Sequence, residues 1–530
     1  MPDELVVRGG MVVDGTGSPA RRADVGIVDG RVVEVGVIPK GDCPELNADG
    51  CVVAPGFINV LSHAYETLQQ DPRGLSDLYQ GVTTEVFGEG YSLGPVTGRV
   101  AEIVDLTPRR DGVRMGWPRL NDFLEHLAAH GIGPNVASFV GAHNLRATFA
   151  GAENRPLTEH ELDVACGLLD DELAAGALGL GSSLLYMPGA YASTEELTAY
   201  ARVLAKRDAL YISHIRDEAG RLQEAIGEVI EIARAASARA EIYHLKASGR
   251  DNWPGMADAI EQINNARDEG LRLSADVYPY DAAGTSLAAC IPPWFHDGGE
   301  DALLGRLKDP AARAEIKSAI SQANDHWENI YRDAGGADGV LLHGGPNSEA
   351  TGRTLAEVSA ARRDADPIDT LLDLVIAEPD LAATYFCMAE ENIRMALRQP
   401  WVSICSDAET PSTQPPFIDS PTHPRAYGSF ARVLGPHVRA GVLSLEEAVR
   451  RMTSLPADNL RLADRGSIRP GAWADLAIFE PGAVQDHATY RDPHRYATGM
   501  RHVMINGQVA FSDGKPTGTL AGRALRRGVS

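Results

Sequence analysis

Five ionisable residues each close an apolar run: His63 ends FINVLSH, Glu89 follows VTTEVFG, His214 ends ALYISH, His244 ends AEIYH and Asp407 ends WVSICSD. No two of them stand at the spacing of a local metal motif such as H-E-x-x-H. They need a fold that gathers the ends of separate strands. A parallel barrel does this, because the C-terminal ends of its strands converge on one face, where active sites are built. Imidazole nitrogens and carboxylate oxygens meeting there suit a divalent metal such as zinc, with an acid–base carboxylate beside it.

The pattern between these residues supports such a barrel. Apolar, β-rich runs near 58–62, 82–87, 136–141, 177–181, 210–214, 240–244, 272–277 and 402–406 alternate with helical patterns, as βα units require. Apolar residues recur at three- and four-residue spacing over 158–175, 194–207 and 220–236, and Ser193 or Thr194 before Glu195-Glu196 marks a helix start. Eight strands predict an α/β chain organised as a (β/α)₈ barrel. The stretch 284–384 is too long for one βα connection and reads as a largely helical insertion placed to cover the barrel mouth.

Both ends of the chain read as hairpins. ELVVRGGMVVDGTG and ADVGIVDGRVVEVG carry Gly-Gly and Asp-Gly turns, and TGMRHVMINGQVAFSDGK carries Asn506-Gly507. Too few for two stable sheets, these strands predict one β-sandwich built from residues 1–54 and 465–530, around a barrel spanning 55–464.

Charge narrows the partners. Acidic residues outnumber basic ones 73 to 49, for a net charge of −24, so nucleic acid and anionic membranes are not expected partners. MPDELVVRGG has neither the basic nor the apolar region of a signal peptide, and no 18-residue apolar run occurs. Six cysteines without a CxxC pair read as reduced thiols, which together predict a cytoplasmic protein with a small-molecule substrate. Oligomeric state leaves no mark on this sequence.

In order along the chain stand Ala54-Pro55-Gly56-Phe57-Ile58, Gln80-Gly81-Val82-Thr83-Thr84, Tyr186-Met187-Pro188-Gly189 and Ser213-His214-Ile215-Arg216. His244-Leu245-Lys246, Asp276-Val277-Tyr278-Pro279-Tyr280, Ser406-Asp407 and His423-Pro424-Arg425-Ala426-Tyr427-Gly428 follow, closed by MTSLPADNLRL and DRGSIRPGAWADLAIF. In this order the pieces resemble the N-acyl-D-amino-acid deacylases (D-aminoacylases) of the metal-dependent amidohydrolase superfamily, over nearly the whole chain. The resemblance implies a zinc enzyme that cleaves the amide of an N-acyl-D-amino acid. It maps the tight metal site to His214, His244 and a third ligand after strand two. There the family carries a cysteine, and this chain reads Gly88-Glu89-Gly90-Tyr91, which makes Glu89 the substitute. The family's H-x-H pair reads Leu61-Ser62-His63. Leucine offers no lone pair, so the resemblance implies one tightly bound Zn²⁺ and a second site with His63 but without that partner.

Asp407 takes the general acid–base role by the same resemblance, and Tyr186, Lys246, Tyr278 and Arg425 grip the substrate carboxylate. Gly284, flanked by Thr285 and Ser286, stands where the family has a serine. Two other readings use the same barrel. One is a cyclic-amide hydrolase of dihydroorotase or hydantoinase type, against which no metal-bridging lysine is evident. The other is a metal-poor barrel repurposed for binding or non-hydrolytic chemistry.

Overall fold

The computed structural model describes residues 4–104, 106, 113–322, 326–364 and 366–528. Its centre is a closed parallel barrel. The strands are β1 (Phe57–Asn59), β2 (Val82–Phe87), β3 (Asn135–Ser138), β4 (Gly179–Ser183), β5 (Leu210–His214), β6 (Arg239–Ile242), β7 (Leu273–Val277) and β8 (Val402–Ile404). β1, β2 and β3 form one parallel sheet, and β4, β5, β6, β7 and β8 form another. The third strand joins the two sheets: it breaks at Phe139, whose N–H reaches Phe87 O, and resumes at Val140–Gly141 beside β4. A parallel bridge between Ser62 and Ala408 closes the ring between β1 and β8. β2 and β5 are buried at every position, because helices cover one face and packed side chains the other, and this burial includes Thr83, Thr84 and Glu85 in β2 and Ser213 in β5.

Helices α1 (Glu159–Ala174), α2 (Thr194–Lys206), α3 (Leu222–Ala236) and α4 (Gly255–Asp268) pack outside the strands. The first two start where the sequence predicts. Thr158 and Glu161 form a capping box, and the Ser193 hydroxyl accepts from Glu196 N.

Several strand ends differ from the sequence reading by two to four residues. β1 ends at Asn59 and β6 at Ile242, so His63 and His244 stand beyond their strands. His244 is turned into the left-handed region (φ 34°), and its N–H donates to Asp276 Oδ1 at 2.7 Å. A regular extended strand would carry that backbone straight on; the Asp276 carboxylate bends it over the barrel mouth.

Strands from both chain ends share a single nine-stranded sheet, in which Val52–Pro55 pairs with Leu476–Phe479. This sheet encloses its own apolar cluster, which includes Val25, Ile27, Val53, Leu476 and Met504. It is fastened to the barrel through Asp475, which accepts from Asn506 N at 2.7 Å and pairs with buried Arg465, while its backbone oxygen accepts from Gly56 N. The 284–384 stretch contains helices and also a small antiparallel sheet of Ala283–Ser286, Val340–Leu342 and Ala382–Tyr385. Sequence reading missed those short strands, since three or four residues are too few to display a period. Among the described residues, no helix is long and apolar enough to cross a membrane.

Candidate metal centre and active site

The barrel brings His63, Glu89, His214, His244 and Asp407 to one mouth, where they line a cavity of about 500 Å³. Gly88 (φ 106°) and Gly90 (φ 65°) flank Glu89. A Cβ on Gly88 would meet Phe139 O, and one on Gly90 would meet Ser183 and His143, so this turn requires glycine on both sides of the carboxylate. Asp407 is also left-handed (φ 50°), held by its own N–H to Leu61 O at 2.9 Å. Leu61, which has no ligand to offer, is thus buried and contributes through its backbone. Two non-glycine residues in this conformation at one mouth represent local strain of the kind concentrated at functional sites.

The side chains form two groups that share Glu89: Glu89 with His214 and His244, and Glu89 with His63 and Asp407. Glu89 Oε1 lies 2.8 Å from His214 Nδ1 and 3.2 Å from His244 Nε2, while Oε2 lies 3.3 Å from His63 Nε2. His63 Nε2 is 3.0 Å from Asp407 Oδ1. Burial alone would favour a neutral Glu89, but its hydrogen bonds to the three imidazoles hold the carboxyl well below its usual range. Burial also opposes charge on His63 and His244. Asp407 and Glu89 outweigh it at His63, raising it to about 9, and Glu218 and Glu89 raise His244 to about 10. Buried carboxylates aimed with imidazole nitrogens at one point fit a divalent cation, and the donor set of nitrogen and oxygen suits zinc.

The expected substrate-binding residues line the same cavity, each already engaged. Lys246 Nζ is 2.6 and 2.7 Å from the two oxygens of Glu218 and 2.7 Å from His244 Nδ1. Arg425 Nη1 stands 2.6 Å from Asp407 Oδ2, in an ion pair whose angle falls short of a hydrogen bond. Arg425 Nη2 donates to Gly284 O at 3.2 Å, and its buried Nε has no hydrogen-bond partner. Tyr278 presents its ring to Arg425, 4.7 Å from the guanidinium carbon, and turns its hydroxyl to Met388 Sδ. Tyr186 donates to Thr285 Oγ1 at 2.9 Å, beside Gly284. Burial raises Asp407 and the Arg425 charge, with His63, lowers it; the net direction is down, so the carboxylate is ionised.

Sequence reading missed Glu218. Its Oε1 is 3.1 Å from His244 Nδ1, its Oε2 is 3.7 Å from His214 Nε2, and both oxygens bind Lys246. It therefore backs both imidazoles on the side away from Glu89, the arrangement that fixes ring orientation in metal sites. A signal existed: Glu218 follows His214 by four residues in SHIRDE. Asp276 was quoted only as part of a motif, yet it sets the His244 turn. His143 is set apart from the metal-facing group, with Nε2 at 2.8 Å from Ser183 O.

The profile described as Amidohydrolase family matches residues 295–511. The N-acyl-D-glutamate deacylase of Alcaligenes xylosoxydans xylosoxydans is 33% identical, covering 99% of this chain and 97% of that protein. The D-aminoacylase of the same organism is 31% identical, covering 99% and 98%. The crystal structure of N-acyl-D-glutamate deacylase from Bordetella bronchiseptica, complexed with zinc and a phosphonate mimic of the tetrahedral intermediate, superposes with a TM-score of 0.81 at 32% identity, covering 98% of this chain and 99% of that one. With relatives above 30% identity aligned from end to end, the chain belongs to the N-acyl-D-amino-acid deacylase (D-aminoacylase) family of the metal-dependent amidohydrolases.

Proposed function

We propose that this chain is a zinc-dependent hydrolase of the linear amide in N-acyl-D-amino acids. The observation that carries the reading is the pair of ligand groups sharing Glu89, with Asp407 in one of them and Arg425 against Asp407. Glu89, His214 and His244 would hold the tight zinc, with His63 beside it. Zinc bound there would polarise the acyl carbonyl and lower the pKa of water.

Asp407, ionised and 3.0 Å from His63, is the base. It takes a proton from the water that attacks the acyl carbon. When the C–N bond breaks, its electron pair goes to nitrogen, and Asp407 returns the proton there, releasing a carboxylate and a free amino acid. Arg425 spends one nitrogen on Asp407 and keeps its buried, unpartnered Nε for the substrate carboxylate. Lys246, Tyr186 and the Tyr278 ring wall the same end of the cavity. With the carboxylate and acyl carbonyl both fixed, only one configuration places the side chain in open space, and the names of the relatives point to the D form.

Around this site we assign residues 55–464 to the catalytic unit, with 284–384 inserted in it, and residues 1–54 and 465–530 to the supporting β unit. The free cysteines support a cytoplasmic enzyme.

Amine release from matched N-acetyl-D- and N-acetyl-L-amino acids, by wild type and Asp407→Asn, tests the activity. The D form is expected to react at least 100-fold faster, and Asp407→Asn to keep its zinc while losing about 10²–10⁴-fold in rate. Equal D and L rates, turnover of hydantoins alone, or an unimpaired Asp407→Asn would reject the proposal.

A further inference from the structure

We infer that Glu328 selects the substrate side chain, and that the site takes N-acyl-D-amino acids whose side chain ends in a cation, an amine or a guanidinium. This rests on the deacylase reading above and adds the substrate class.

Glu328 is buried, 4% exposed, yet lines both the catalytic cavity and a second cavity of about 340 Å³. The two cavities share Leu185, Tyr186, Met187 and Glu328. Its Oε2 accepts from Glu218 N at 2.6 Å, and among the described residues nothing else bonds its carboxylate and no Lys or Arg pairs with it. A buried acid that lacks a cation keeps its proton, and a cationic group entering the cavity it lines would draw it to the ionised form. Burial, then the charges of Glu218, Asp217 and Asp333, push its carboxyl well above the usual range; a bound cation supplies what those neighbours withhold.

The rest of the cavity argues the same way. Among the described lining residues its lysine and arginine are Lys246 and Arg425, held by Glu218 and Asp407, while His63 and His244 face Glu89. Burial keeps His143 and His343 neutral, each lowered to about 4. A second carboxylate on the substrate would meet Glu328 and find no cation of its own. A lysine- or arginine-like side chain would lay its methylenes along Leu185 and Met187 and bring its charge to Glu328. Glu328 stands one hydrogen bond from Glu218, which holds Lys246. Tyr186, expected at the substrate carboxylate, lines both cavities with Glu328, which is therefore assigned to the amino-acid side chain.

Rates with the N-acetyl derivatives of D-Lys, D-Arg, D-Leu and D-Glu, the acyl group held constant, test the assignment in wild type and Glu328→Gln. Wild type is expected to prefer D-Lys and D-Arg over D-Glu by about 100-fold in kcat/KM. Glu328→Gln should lose about 10-fold or more on the cationic substrates, mainly through KM, and about 3-fold or less on D-Leu. The wild-type ranking stands whether or not the variant folds. A preference for D-Glu, or a uniform loss on all four substrates in Glu328→Gln, would overturn the assignment and leave the deacylase reading intact. No turnover of any of the four would overturn both.

Discussion

Lys246 and Arg425 are each answered by a buried acid, and the Lys246–Glu218 pair is the more complete case, with both side chains at most 5% exposed. Replacing Lys246 with Met leaves Glu218 buried beside two imidazoles without its cation, the circumstance in which breaking a buried pair costs about 3–5 kcal/mol. Lys246→Met is therefore expected to lower the unfolding free energy in urea by that order, and adding Glu218→Gln should recover part of the loss. Strict additivity of the two substitutions would show that the pair is not coupled. At this scale the sequence was informative wherever an ionisable residue closes an apolar run, as at His214 and Asp407. It was silent about Glu328 and offered only the four-residue spacing from His214 for Glu218, because their roles depend on which side chains the barrel and its insertion bring alongside them. It was also silent about Lys246 and Arg425 being held by acids, since a resemblance assigns a residue a place and not a partner.

The elements carry a second set of buried acids, set apart from the metal-facing group. Asp77 and Glu85, the latter in β2, share Asn59, whose Nδ2 lies 3.0 Å from an oxygen of each. Burial raises both carboxyls above their ordinary range, and in Asp77 the Glu85 charge adds to it. The folded state thus keeps protons that the unfolded chain releases. Where the folded state binds more protons, stability declines with rising pH. The contribution is complete below the ordinary glutamate value of 4.5 and is lost as pH climbs from there toward the raised folded value. Melting temperatures across that range should fall with pH in the wild type, and the slope should be shallower in Glu85→Gln. An unchanged slope would place the pH dependence elsewhere. β2 and β5 were legible as β-rich runs, and the capped α1 and α2 from period and capping residues. β1 and β6 end earlier than their apolar runs, because turns made by Asp276 and by the Ser62–Ala408 bridge bend the chain before the apolar residues run out.

On the scale of the whole molecule, barrel and terminal sheet are bound through Asp475, Arg465, Asn506 and Asn135, while the 284–384 stretch brings Thr285, Glu328, Ile330 and His343 to the cavity. The barrel was readable because eight apolar runs alternate with helical patterns. The sheet inside the insertion was not, because short antiparallel strands paired over long separations leave no local period. The proposed chemistry turns on one zinc ion, for which Glu89 is the proposed third ligand where the resemblance implies a cysteine. The most direct test is therefore to strip the protein of metal, add zinc stepwise, and follow bound zinc and N-acyl-D-amino-acid hydrolysis together, in wild type and in Glu89→Ala. Activity in the wild type is expected to rise with the first zinc and level off near one per chain, and Glu89→Ala to lose both tight binding and turnover. Full activity without metal, or an unaltered zinc titration in Glu89→Ala, would contradict the account.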